Sequence, residues 1–211
     1  MSPDFAAATD PIFLHVLGFL DRAGQSRTLS PQEERTAVQN YLRSAEAQLG
    51  QRPDWELAKY ALVAWIDDML IESPWEGRSW WKENALEVEV FNTRVRATEF
   101  FSRAKDASNL TRRDALEVFY VCVVLGFRGL YRDPQAAFLA DQLLLPTDLE
   151  AWARQTARSI QLGQGRPPID EKPRPAGSAP PLEGKFLVVG TTVIGAALAV
   201  ACGLVGWLLF F

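Results

Sequence analysis

Histidine is nearly absent from this chain, and His15 is its only example. Cysteine occurs twice, as Cys122 and Cys202. A di-iron carboxylate bundle needs two Glu-x-x-His pairs, so one histidine excludes it, and two distant cysteines exclude a structural zinc site. There is no Gly-rich phosphate loop and no Gly-x-Ser-x-Gly elbow. A basic surplus is missing too: 26 acidic residues face 22 basic ones, a formal net charge of −4. That argues against nucleic acid as a partner, which would usually select a basic face. The run from Met1 to Asp10 has no basic n-region and the apolar run after it is short, so no cleaved signal is expected. Alternating strand patterns and hairpin turns are also lacking, which leaves an all-α fold.

What is present is dominated by one stretch. Phe186 to Phe211 contains no charged residue. As a helix it would span about 39 Å, enough to cross a hydrocarbon core of about 30 Å with some tilt. Only a helix satisfies its own backbone groups in lipid at such a length. The alternative, a helix buried in a soluble core, would need a partner wrapped all round it. The stretch therefore reads as a C-terminal tail anchor. Arg166, Lys172, Arg174 and Lys185 precede it and no charge follows, so residues 1–185 are expected on the cytoplasmic side of a bacterial inner membrane. With the domain there, neither cysteine is expected in a disulfide.

The remainder reads as about eight helices. Asp10-Pro11 is expected to open the first, which Gly24 ends, with His15 as a packed or rim residue. Ser30-Pro31-Gln32-Glu33 is a capping box that opens the second, and Gly50 stops it. Pro53-Asp54 begins the third, with Trp55, Ala58, Leu62, Trp65 and Met69 as its apolar stripe, and Pro74 ends it. A fourth is expected from Ser79 to Asn92 and a fifth from Ala97 to Ala107. Asn109 or Thr111 should cap a sixth, which runs apolar nearly all round through Leu130 and so reads as the central helix. Pro134 and Pro146-Thr147-Asp148 start the last two.

From Gly163 to Lys185 lie six of the 13 prolines and four of the 14 glycines. Such a stretch reads as an extended linker, reaching up to about 70 Å in polyproline II form. The expected organisation is thus a helical domain over 1–162, a linker over 163–185 and an anchor over 186–211.

Two groups of residues invite a functional reading. Asp67 and Asp68 interrupt an apolar helix, and a buried carboxylate needs a cation or N–H donors. Arg128, Arg132 and the backbone N–H groups at the start of the next helix are candidates. The pair would either pin the third helix to its neighbours or open an acidic groove to a partner protein. Trp75, Trp80 and Trp81 would mark an interface if exposed, or a core around the Pro74 turn if not. In the apolar tail, Thr191, Gly195, Ala199 and Gly203 recur every four residues, a spacing that permits close pairing of two membrane helices in a homodimer.

The run Ala64-Trp65-Ile66-Asp67-Asp68, followed by Ser73-Pro74-Trp75, resembles the acid-pair and Ser-Pro-Trp signature of the DotU/IcmH/TssL family. Leu125-Gly126-Phe127-Arg128-Gly129-Leu130-Tyr131-Arg132 resembles its second signature, Leu-Gly-Phe-x-Gly-x-Tyr-Arg. Phe100-Phe101, the Pro-rich stretch and the terminal span follow the family order. Two features depart from it: Ala97-Thr98-Glu99 stands where Gly-Gly-Glu is usual, and Arg128 and Leu130 stand where Glu and Arg are frequent. The resemblance implies a non-enzymatic structural subunit of a type VI or type IVB secretion machine, with an all-α cytoplasmic domain of two packed helical bundles. It would sit in the inner membrane beside an IcmF/TssM-type protein, dock cytoplasmic baseplate proteins, and use no cofactor or metal. On this reading Asp67, Asp68, Trp75 and Arg128 line the partner groove. The rival readings are a membrane-tethered enzyme using Asp67, Asp68 or Cys122 in a concave pocket, and a tail-anchored signalling adaptor.

Overall fold

The computed structural model describes residues 1–25, 29–134, 136–163, 193–197, 200 and 204. The chain divides into two units, Met1–Pro167 and Pro168–Phe211. The described part of the first is all-helical: α1 (Pro3–Gly24), α2 (Pro31–Leu49), α3 (Pro53–Glu72), α4 (Arg78–Glu83), α5 (Leu86–Phe91), α6 (Arg96–Asn109), α7 (Asp114–Val124), a 3-10 turn (Gly129–Arg132), α8 (Ala136–Gln142) and α9 (Leu149–Gly163). In the second, 193–197 are helical. Among the described residues no helix is long and apolar enough to cross a membrane; most of the expected span over 186–211 lies outside them.

Several boundaries follow from the local chemistry. The Ser30 hydroxyl accepts from the Glu33 N–H, closing the expected cap of α2. Gly50, at φ 71°, reverses the chain after it. Asp148 accepts from the Ala151 N–H at the start of α9.

Other boundaries differ from expectation, each for a physical reason. α1 begins at Pro3, not at Pro11, and runs straight through Pro11. Pro11 removes one ladder bond, but it and Ala7 lie on the exposed face, where water can serve the freed carbonyl. The expected helix over 79–92 is two short ones, α4 and α5, broken at Asn84-Ala85. The expected sixth helix ends at Val124, because the chain turns at Gly126, φ 111°. Its cap is neither Asn109, which closes α6, nor Thr111; the residue before its first turn is Arg113, with no side-chain cap.

The central helix is α3. Fourteen of its 20 residues are buried, including every position from Tyr60 to Asp68, so it is covered on all faces rather than along one stripe. It packs on α7, α6, α4 and α5, and more lightly on α1 and α2, which pair with each other. On the α6–α7 side an aromatic cluster fills the core. Phe100 stacks on Phe127 with ring centroids 3.9 Å apart, and Phe101 meets Tyr131 and Trp152 edge-on.

Candidate functional site

The two acids in the middle of α3 point about 100° apart, as adjacent helical residues must, and they reach different neighbours. Asp67 is fully buried. Its Oδ1 accepts from Trp81 Nε1 and the Leu86 N–H, and its Oδ2 from the Glu87 N–H, all at 2.8 Å. The N–H groups that begin α5 have no partner within their own helix; Asp67 supplies one, and this is why the helix expected over 79–92 breaks. Burial holds the Asp67 carboxyl above the ordinary carboxylate range, against the pull of these donors.

Asp68, on the other flank, accepts from Arg132 at 2.8 Å and from the Arg128 N–H at 3.3 Å. Burial raises this carboxyl too, opposed by the Arg132 charge. Arg132 also pairs with Glu72 at 2.5 Å. Two glycines make that reach possible. Gly126 and Gly129 both take positive φ, and a Cβ on Gly129 would stand 2.8 Å from the Ala97 carbonyl oxygen. Between them Phe127 is driven into the core, and beyond them the Tyr131 hydroxyl donates to the Pro146 carbonyl at 2.6 Å.

The two sequence signatures are therefore one knot, in which the acid pair is tied by the arginine turn. Trp75 belongs to it: half-buried, it donates from Nε1 to the Leu70 carbonyl and meets Phe19 and Trp81 edge-on or tilted. Its ring lies where a Cβ on Gly77 would be. Trp81 is buried and Trp80 half-buried, so the tryptophans form a core rather than an exposed patch.

The expected groove needs correction on two points. Asp67 has no exposed surface and Asp68 has 6 %, so neither carboxylate is open to a partner. Arg128 contributes its backbone N–H, while its side chain is exposed and Arg132 supplies the charge. Of the expected pairing stripe, Thr191, Ala199 and Gly203 lie outside the described residues; Gly195 is helical and exposed.

Sequence reasoning missed Glu87. It is fully buried, and its Oε1 accepts from Tyr60 Oη, Thr93 Oγ1 and the Val95 N–H. Arg96 stands 3.8 Å from the other oxygen. The signal was faint: one of two acids in the alternating run Leu86 to Val90, facing a tyrosine within an apolar helix.

Asp67, Asp68 and Cys122 line none of the principal cavities. Cys122 is fully buried against the Ala61 carbonyl, and burial pushes its thiol up, away from the reactive thiolate. Among the described residues no group of three or more His, Cys, Asp or Glu is placed to hold a metal ion. His15 sits 3.1 Å from Glu34 and against Tyr41, at a rim between α1 and α2. This arrangement positions helices.

The two signature motifs thus lock the central helix of an all-helical domain. The family model for the type VI secretion system protein DotU matches residues 4–211, and the chain belongs to that family. Among solved structures it is similar to the cytoplasmic domain of TssL from Acinetobacter baumannii, at 21% identity and a TM-score of 0.62 over 77% of this chain and 99% of that one. That likeness is one of fold. No curated protein matches.

Proposed function

We propose that this protein is a structural subunit of the type VI secretion membrane complex, held in the inner membrane by residues 186–211 and carrying a cytoplasmic helical domain over 1–162 on the linker 163–185. The observation that supports this most is the uncharged stretch after Lys185, in a chain that belongs to the DotU family along nearly its whole length. The physical logic is recruitment. An anchor confines the domain to a surface and raises its effective concentration beside membrane-bound partners.

On this reading an IcmF/TssM-type inner-membrane protein is its neighbour and the cytoplasmic baseplate docks on its helical domain. Thr191, Gly195, Ala199 and Gly203 offer the face along which two anchors meet. The knot at Asp67 and Asp68 keeps the docking surface in shape rather than touching the partner. Alkaline carbonate washing tests the anchor: the full chain should stay with the vesicles, and its release would end the proposal. Co-purification with the IcmF/TssM-type protein tests the assembly. A soluble domain that works as well without 186–211 would favour the adaptor reading instead.

A further inference from the structure

Beside the knot lies a cavity of about 550 Å³. Its walls come from three separate segments: Ile71 and Glu72 at the end of α3; Arg78, Ser79 and Lys82 on α4 with Ala85 after it; and Arg94 and Arg96 at the start of α6. Four cations thus face one carboxylate, and that carboxylate, Glu72, is already paired with Arg132. Arg96 is turned partly toward the buried Glu87, at 3.8 Å. Arg94 makes one long bond to the Glu83 carbonyl, at 3.4 Å. Among the described residues Arg78 and Lys82 have no ion-pair partner, and both are exposed. In a chain of net charge −4, this is a concentrated positive site. A concave wall of one sign focuses the field and draws in the opposite charge.

We infer that this cleft receives an acidic segment of a partner protein, with the Arg78, Lys82 and Arg94 side chains meeting its carboxylates at the rim and Arg96 meeting them at depth. The shape selects a chain over a flat membrane. Arg96 has a side chain only 23 % exposed, so a planar lipid surface would reach the rim cations and leave it unmet. The size selects a chain over a free phosphate, because the cations of α4 and of the segment leading into α6 line one cavity too large for a single small anion to fill. Ile71 and Ala85 give the floor apolar surface, suited to the methylene stems of glutamates. The inference rests on the docking role proposed above and gives the chemistry of what is docked.

The test uses the full chain in detergent micelles, with a fluorescein-labelled poly-glutamate peptide followed by anisotropy. The peptide should bind, bind less well as ionic strength rises, and bind at least about tenfold more weakly to the double variant R78E/K82E, the scale of losing and reversing two rim ion pairs. K105E, an exposed charge reversal outside the cleft, should bind as the parent does. Circular dichroism melting of R78E/K82E should match the parent, since both side chains are solvent-facing. No binding, or binding that R78E/K82E leaves unchanged, overturns the inference. So does recruitment of phosphatidylglycerol vesicles through Arg78 and Lys82 without poly-glutamate binding, or displacement of the peptide by inorganic phosphate at equal charge. If poly-glutamate binds through the cleft but the parent chain co-purifies with no secretion component, the docking role fails and the cleft chemistry stands. If the secretion complex assembles normally around R78E/K82E, the role stands and the cleft fails.

Discussion

Asp67 is held by three N–H donors and no ion pair, whereas Asp68 is held by a guanidinium and a single long amide bond. One residue of rise and a rotation of about 100° separate them, yet they do different work. Asp67 caps the start of α5 from inside the core, where each donor it satisfies would otherwise be buried unpaired. Asp68 fastens a turn at the edge, where Arg132 keeps 38 % of its side chain in solvent. The number of interior donors that depend on a carboxylate should therefore govern its weight in folding more than its charge does.

The largest expected effect tests that directly. Asp67→Ala strands the Trp81 indole and two α5 amides, and should lower unfolding stability by about 3–5 kcal/mol in urea titration. Asp67→Asn keeps one acceptor oxygen for Trp81 and Leu86 but turns an NH2 toward the Glu87 N–H, so about 1–3 kcal/mol is expected. Arg132→Ala and Asp68→Asn should each cost about 1 kcal/mol, because water can replace the lost partner at the edge. An Asp68→Asn loss as large as that of Asp67→Ala would break the contrast between the two seats.

A pH series sharpens the comparison further. The folded pKa of Asp67 is raised, so its favourable contribution is present below the ordinary aspartate value of about 3.9 and is lost as pH rises through the folded value. The penalty of Asp67→Asn should shrink over that rise. Asp54, in the first turn of α3, is lowered by its bonds to Arg52. Its contribution is present above the ordinary value and is lost as pH falls through the folded one, so the penalty of Asp54→Asn should grow with rising pH. Equal slopes for the two variants in urea midpoints between about pH 3 and 8 would refute the assignment.

What the sequence discloses about this fold is what is decided locally. Ser30 with Glu33, the proline at the start of α3, Gly50 and Asp148 each act within one turn, and their residue types announce it. The need of Asp67 and Asp68 for donors is legible for the same reason: a carboxylate in an apolar helix requires them wherever the chain goes. Which donors answer is a tertiary matter. Gly126 and Gly129 swing the chain so that Arg132 arrives and the Arg128 side chain does not, and no spacing rule encodes that swing. The break between α4 and α5 is invisible from Ser79 to Asn92 alone, since its cause sits on α3. The cationic cleft is scattered over three segments and comes together only when they fold.

Cys122 has a practical consequence. Sealed in the α3–α7 contact with its thiol held protonated, it will react slowly with maleimides. With Cys202 replaced by serine, S79C could then carry a fluorophore or spin label while Cys122 stays silent, since Ser79 is exposed and lines the same cavity, and occupancy of that surface could be followed in real time without rebuilding the protein's interior.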